Sequence, residues 1–235
     1  MRAPFDAAQD LADAPRTGGG QKPKDAATLI LIQRRSGVAR VLMGRRAPGH
    51  VFMGSKWVFP GGRIDRSDFA AASASELADD AAARLNRELP PRRARALALA
   101  AVRETFEETG LMLARPAEPR TVVGPWRAFR AAGALPDLDA LSYVARAITP
   151  PGRVRRFDAR FFIADAERLL NPDDAAVSRE LDEIAWLTPD EARGQDLPAI
   201  TRYILGEVAE RLDSPRRSLP LVRMVRGRHV VEYQD

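Results

Sequence analysis

The sequence predicts an α+β fold, an α/β/α sandwich in which helices cover a mixed β-sheet. Short apolar runs typical of buried strands alternate with longer helical segments. The strands and helices interleave without a regular βαβ repeat, which indicates a mixed rather than a parallel sheet. No repeat of solenoid length is present, so we expect one layered domain.

The strands are predicted from apolar runs that are bounded by turn residues. Residues 34–37 separate the first two runs, and a Pro-Gly-Gly break ends the third at 60–62. The carboxyl end, 222–233, carries Gly227 near its middle and is typical of a hairpin. The predicted strands are residues 27–33, 38–43, 56–59, 143–148, 160–163 and 183–187.

The helices are predicted from composition and from their end signals. Residues 69–89 are rich in alanine and end at a double proline, and a second helix follows over 92–109. Thr188, Pro189 and early acids form a helix start, and residues 197–212 have an amphipathic pattern. Residues 1–24 are small and polar and predict a disordered arm. We therefore expect a single domain over 25–235, with a helical insertion at about 69–91 and a helix plus hairpin extension at its end.

Composition excludes several classes of site. The 235 residues include no cysteine and only two histidines, so any bound metal would depend on oxygen ligands. No apolar run is long enough to span a membrane, and the first residues lack the apolar stretch of a secretory signal. The net charge of +5 suits anionic small molecules, whereas no nucleic-acid-binding module is present. We expect a cytoplasmic protein and leave a homodimer open.

The most informative stretch is Arg-Glu-Thr-Phe-Glu-Glu-Thr-Gly at 103–110. Residues three and four apart share one face of a helix, so Glu104, Glu107 and Glu108 would crowd together and repel. A cation should hold them, and the candidates are Arg103 and a hard divalent ion. Gly110 suits the left-handed residue that ends such a helix.

Together with Phe-Pro-Gly-Gly at 59–62, this stretch resembles the box of the Nudix hydrolases, Gly-x5-Glu-x7-Arg-Glu-U-x-Glu-Glu-x-Gly-U, where U is apolar. Thr105 takes one apolar place. Gly62 and Arg103 are 41 positions apart where the box has 14, which leaves 27 extra residues. Counted forward from Gly62, Asp68 stands where the family has its first glutamate. Later segments resemble the branch with a long insertion, some members of which cleave coenzyme A and its acyl esters.

The resemblance implies a metal-dependent hydrolase that cleaves the diphosphate bond of a nucleoside diphosphate linked to another group, with coenzyme A or acyl-CoA as one candidate. Mg²⁺ or Mn²⁺ would be the cofactor. The implied metal ligands are Glu104, Glu108, Glu107 and Gly62, the last through its backbone. Arg103 would orient the acids, while Glu107 and Glu180 are the two candidates for the general base.

Basic side chains are candidate contacts for the anionic substrate, namely Arg46, Lys56, Arg146 and Arg160. One alternative is a non-catalytic Nudix-like domain that binds a nucleotide or regulates. Others are hydrolysis of NADH, ADP-ribose or capped RNA. The three adjacent acids favour catalysis, since a binding module does not require them.

Overall fold

A mixed β-sheet forms the centre of the computed structural model, which describes residue 5 and residues 20–49, 54–214 and 217–234. Its strands run in the order β11-β10-β7-β8-β1-β2-β3, with β4 paired to β1 and β9 to β2. The pairs β1–β8 and β7–β10 are parallel, and the other pairs are antiparallel. The strands of this sheet are β1 (Lys24–Arg35), β2 (Val38–Arg46), β3 (Trp57–Val58), β4 (Gly61–Arg63), β7 (Ser142–Ile148), β8 (Phe157–Asp165), β9 (Leu181–Leu187), β10 (Leu219–Val225) and β11 (Arg228–Gln234).

Helices cover both faces of this sheet, so the predicted sandwich is confirmed. Strand β1 shows why, because its successive side chains point to opposite faces. Leu29 and Leu31 pack into the core beneath the helices that precede residue 110, whereas Ile30 and Ile32 pack under the carboxyl-terminal helices. A small second sheet pairs β5 (Ala114–Pro116) with β6 (Ala134–Pro136). The helices are α1 (Asp79–Asn86), α2 (Pro91–Thr109), α3 (Arg127–Ala131), α4 (Pro189–Arg193) and α5 (Ala199–Asp213).

Helix α2 carries the acidic stretch, and its ends follow the sequence signals. Pro91 occupies the first turn, where its missing N–H costs nothing, and Gly110 ends the helix at φ 74°. Thr105, the departure from the box pattern, is fully buried and donates its hydroxyl to the Ala101 carbonyl at 2.8 Å. A threonine is therefore tolerated at this apolar position because its polar group is satisfied within the helix.

The insertion is less helical than the sequence indicated. Over 69–91, only Asp79–Asn86 forms an α-helix before α2 begins, and a short 3₁₀ helix spans Arg66–Phe69. Ala74 and Ser75 instead pair with the end of β6 and the residue after it, with the Ala74 N–H bonded to the Pro136 carbonyl at 2.8 Å and the Ser75 hydroxyl bonded to Asp137 at 2.7 Å. These long-range hydrogen bonds replace the local ones that the alanine content favoured.

The two ends of the chain also differ from the expectation. Most of the arm predicted at 1–24 lies outside the described residues; Phe5 packs edge-on against Tyr203 and His229, and Lys24 already belongs to β1. The predicted terminal hairpin forms as β10 and β11, and β10 pairs with β7, so the hairpin extends the central sheet. No helix in the described part of the chain is long and apolar enough to cross a membrane.

Candidate active site

The double glycine lets strand β4 lie tightly between β1 and helix α2. A Cβ atom on Gly61 would stand 2.5 Å from the Ala27 carbonyl oxygen and 2.7 Å from the Thr28 Cα. A Cβ atom on Gly62 would stand 2.3 Å from the Cδ of Glu104. All three distances are shorter than a tolerated contact, so the backbone around Gly61 admits only glycine, whereas a side chain at Gly62 would displace the Glu104 carboxylate. The backbone at Gly62 is thereby brought against the Glu104 carboxylate.

Arg103 holds the first two acids of the motif from within the protein. Its Nη1 donates to Glu104 Oε1 and to Glu107 Oε2, both at 2.9 Å. Its Nε and Nη2 donate to the two oxygens of Asp68 at 2.9 and 3.0 Å, and Nη2 also reaches the Arg63 carbonyl at 2.8 Å. The guanidinium is thus used at all three nitrogens, and the expectation that Arg103 orients the acids agrees with its geometry.

Asp68 is completely buried and fully hydrogen-bonded. Besides the two bonds from Arg103, Oδ1 accepts from the indole Nε1 of Trp126 at 3.0 Å and Oδ2 accepts from the Asp65 N–H at 2.8 Å. The carboxylate therefore acts as an internal counter-ion for Arg103. No local signal in the sequence connects Trp126 to a residue 58 positions away.

Glu108 is the most deeply buried acid of the motif. Its Oε2 accepts the Gly61 N–H at 3.0 Å, while its Oε1 is buried without a hydrogen-bond partner. Burial raises the pKa of Glu108 to about 8; Arg46 and the Gly61 N–H oppose the shift, and Glu104 and Glu180 add to it. An ionised Glu108 would therefore gain from a cation beside its unpartnered oxygen.

The other two acids are shifted in the same direction. Burial raises the pKa of Glu104, Arg103 counteracts it, and the charges of Glu107 and Glu180 raise the pKa further. Burial likewise raises the pKa of Glu107, with added repulsion from Asp68 and Glu180. Glu180 precedes β9 in the chain and is close enough to influence all three acids.

A cleft of about 790 Å³ opens over these groups. Glu104, Glu107 and Glu180 line one part of it together with Gly61 and Gly62. Arg46 and Lys56 line it as well, and Lys56 Nζ pairs with Asp196 at 2.6 Å. The cleft thus combines acids with basic side chains, and apolar residues of β8 such as Phe157 and Phe161 line it too. This is the composition expected of a pocket for a small anionic molecule.

Two predicted substrate contacts lie elsewhere. Arg160 is fully buried and pairs with Asp158 at 2.9 Å and Glu88 at 3.3 Å, and Arg146 binds the same two acids at 2.8 and 3.0 Å. Neither arginine lines the cleft, because Ala147, Ala159 and Phe161, their neighbours along β7 and β8, point into it instead. We correct the expectation accordingly: these arginines join the insertion to the sheet. His50, one of the two histidines of the chain, lies outside the described residues.

The residues fit a divalent cation in donor chemistry. Among the described residues, no three Asp, Glu or His side chains converge as a ready-made metal site, since Arg103 holds Glu104 and Glu107. Three features nevertheless favour a hard cation: carboxylate oxygens as donors, the unpartnered Glu108 oxygen, and the close approach of the Gly62 backbone to the Glu104 carboxylate.

Comparisons with known proteins agree with this geometry. The structure is similar to the crystal structure of a Nudix hydrolase from Alicyclobacillus acidocaldarius, with 28% identity and a TM-score of 0.59 over 80% of this chain and 92% of that one. The sequence is 28% identical to the acyl-coenzyme A diphosphatase NUDT19 of Gallus gallus over an alignment that covers 65% of this chain and 54% of that protein. No protein-family model matches the chain. It spans about half the length of the curated relatives it matches.

Proposed function

We propose that this chain, which belongs to the Nudix hydrolase family, hydrolyses the diphosphate bond of a nucleoside diphosphate linked to another group. The observation that carries the proposal is the buried, unpartnered Oε1 of Glu108 beside Gly61, with Glu104 and Glu107 close by on the same helix. Buried carboxylates are costly unless a cation compensates them. The buried Glu108 carboxylate, with Glu104 and the more exposed Glu107 lining the cleft, suits a reaction in which a cation and a diphosphate bind together.

Nudix hydrolases generally use divalent metal ions. In this chain Glu104, Glu108, Glu107 and the backbone of Gly62 would hold the ion. Mg²⁺ or Mn²⁺, when bound, would neutralise phosphate charge and make a water molecule more acidic. Glu108 would then be ionised near neutral pH, since a cation lowers a pKa that burial has raised.

The side chains around these ligands have separate roles in the proposal. Arg103 keeps the carboxylates of Glu104 and Glu107 in place through hydrogen bonds of 2.9 Å. Glu107 and Glu180 are the candidates to accept the proton of the attacking water, since both line the cleft. Arg46 and Lys56 give the same cleft positive charge, which attracts the diphosphate.

Coenzyme A or an acyl-CoA is the substrate class we propose first. Its support is the resemblance to the Nudix branch with a long insertion, some members of which cleave coenzyme A, together with the similarity to the acyl-coenzyme A diphosphatase of Gallus gallus. NADH, ADP-ribose and capped RNA are alternatives within the same chemistry, and a non-catalytic nucleotide-binding domain is the alternative outside it. Cytoplasmic location and homodimer formation stay predictions.

The test is hydrolysis of a substrate panel with Mg²⁺ or Mn²⁺. The panel contains coenzyme A, acyl-CoA, NADH, ADP-ribose, dinucleoside polyphosphates and capped RNA. We expect turnover of at least one compound into two phosphorylated products, with a loss of at least about 100-fold in Glu108→Gln. Glu167→Gln is the matched control, because Glu167 lies in an exposed turn away from the cleft.

Absence of turnover across the whole panel would contradict catalysis and favour the binding domain. Turnover that is equal in the wild type and in both Glu107→Gln and Glu108→Gln would show that the acids are not the reactive centre. A preference for one member of the panel would identify the substrate class.

A further inference from the structure

We infer that Trp126 is a positioning residue for the acidic centre and acts through Asp68 on Arg103, an inference that rests on the proposed function. Trp126 does not belong to the acidic motif and precedes α3, in the segment between β5 and β6. It is 4% exposed, and its indole Nε1 donates to Asp68 Oδ1 at 3.0 Å. That bond connects a segment outside the central sheet to the arginine that holds the acids.

The connection continues through Arg103 without a break. Asp68 accepts Nε and Nη2 of Arg103 at 2.9 and 3.0 Å, which fixes the plane of the guanidinium. The remaining nitrogen, Nη1, donates to Glu104 and Glu107 at 2.9 Å. Because the guanidinium is planar and rigid, any rotation of Asp68 changes the direction in which Nη1 points. The positions of both carboxylates therefore depend on the orientation of Asp68.

Trp126 is well suited to fix that orientation. Oδ1 of Asp68 accepts two bonds, one from Arg103 and one from the indole, so the indole is its second donor. Asp68 is completely buried, and water is therefore not available to replace a lost donor. Without the indole N–H, we expect the Asp68 carboxylate to rotate toward its remaining donors, Arg103 and the Asp65 N–H.

The indole ring is itself held by edge-to-face contacts. Its centroid lies 5.3 Å from that of Phe129 at an interplanar angle of 79°, and Phe129 lies 5.2 Å from Phe106 at 83°. Phe106 belongs to α2, the helix that carries Arg103 and the acids. The aromatic contacts and the hydrogen bonds thus connect the same two elements by separate routes, which favours a fixed geometry over simple filling of space.

The test compares Trp126→Phe with Tyr143→Phe. Trp126→Phe keeps an aromatic ring and removes the donor to Asp68. Tyr143→Phe removes a hydroxyl that donates to Glu88 at 3.2 Å, from a site that does not line the cleft. Both variants therefore lose one donor to a carboxylate and should lose similar thermal stability.

We expect Trp126→Phe to lower kcat about tenfold with KM changed by less than about twofold, because misplaced acids impair the reaction more than substrate binding. Manganese titration followed by electron paramagnetic resonance should show weaker binding of the ion in this variant. Tyr143→Phe should match the wild type in both measurements. A Trp126→Phe variant with wild-type kcat and Mn²⁺ affinity and a lowered Tm would overturn the inference and leave Trp126 as a packing residue.

A measurement on the wild-type protein covers the case in which Trp126→Phe does not fold. The indole N–H resonance of Trp126 should shift when Mg²⁺ is added. Binding of the ion at Glu104 should change the hydrogen bonds between Glu104, Arg103 and Asp68, and Asp68 accepts the indole N–H. An unchanged resonance at saturating Mg²⁺ would contradict the connection. If the wild type binds the ion but hydrolyses no compound, the proposed function fails, whereas this inference is still judged by the resonance and by Mn²⁺ affinity.

Discussion

Replacing Gly62 by alanine should separate catalysis from folding. The new Cβ would stand 2.3 Å from Glu104 Cδ and 2.4 and 2.5 Å from its carboxylate oxygens. Carbon atoms in contact are normally about 3.5–4.0 Å apart, so the carboxylate must move by more than about 1 Å. The φ angle of Gly62 is not in the left-handed region, and the obstructing atoms belong to the end of a flexible side chain. The fold can therefore adapt while the acid is displaced.

The expected magnitude follows from that displacement. A misplacement of about 1 Å at a reacting centre costs roughly 100-fold in rate. We therefore expect Gly62→Ala to lower kcat/KM about 100-fold while Tm falls by only a few degrees. The assay is steady-state hydrolysis of the best substrate of the panel at saturating Mg²⁺, with thermal unfolding measured on the same preparations.

Gly61→Ala is the matched control. Its Cβ would meet the backbone of Ala27 and Thr28 at 2.5 and 2.7 Å, and backbone in a paired strand cannot move aside. This variant should lose about 1–3 kcal/mol of stability from overpacking. If Gly62→Ala retains wild-type kcat/KM, or if a crystal structure of it shows Glu104 unmoved, the argument for close approach at Gly62 is refuted.

Three further outcomes can be checked by urea denaturation. Asp68→Asn should lose about 3–5 kcal/mol, because Asp68 is the fully buried one among the carboxylates that pair with the buried Arg103; a loss below about 1 kcal/mol would speak against that pairing. In metal-free protein the pKa of Glu108 is about 8 against an unfolded value of 4.5, so the folded state holds the extra proton. The free energy of unfolding should therefore fall as pH rises from about 5 to 8, and Glu108→Gln should flatten that slope. Thr188→Ala should cost about 1 kcal/mol by removing the capping box with Glu191, and an unchanged midpoint would count against the cap.

Local signals were sufficient to predict much of the fold. Helix α2 was predicted within one residue, because a double proline begins it and Gly110 ends it. Strand β1 was predicted from its apolar run, since a strand covered on both faces needs no alternation of polar residues. The acidic motif could be interpreted because its members lie within five positions on one helix.

What the sequence did not predict depends on distant partners. Residues 70–78 have helical composition, but Ala74 and Ser75 bond to Pro136 and Asp137, which follow about 60 positions later. Arg160 was a predicted phosphate contact. In the structure it is fully buried and paired with Asp158 and Glu88, so its role is structural. The hydrogen bond between Trp126 and Asp68 likewise joins residues that are far apart in the sequence. Such contacts are set by the assembled fold, and spacing along the chain does not reveal them.

The most direct test of the account is an anomalous difference map from crystals grown with Mn²⁺. We expect a manganese peak in contact with the carboxylates of Glu104 and Glu108 beside Gly62, and no such peak in Glu108→Gln crystals. Manganese bound only away from these acids, or no peak at saturating Mn²⁺, would contradict the claim that this helix holds the ion for diphosphate hydrolysis.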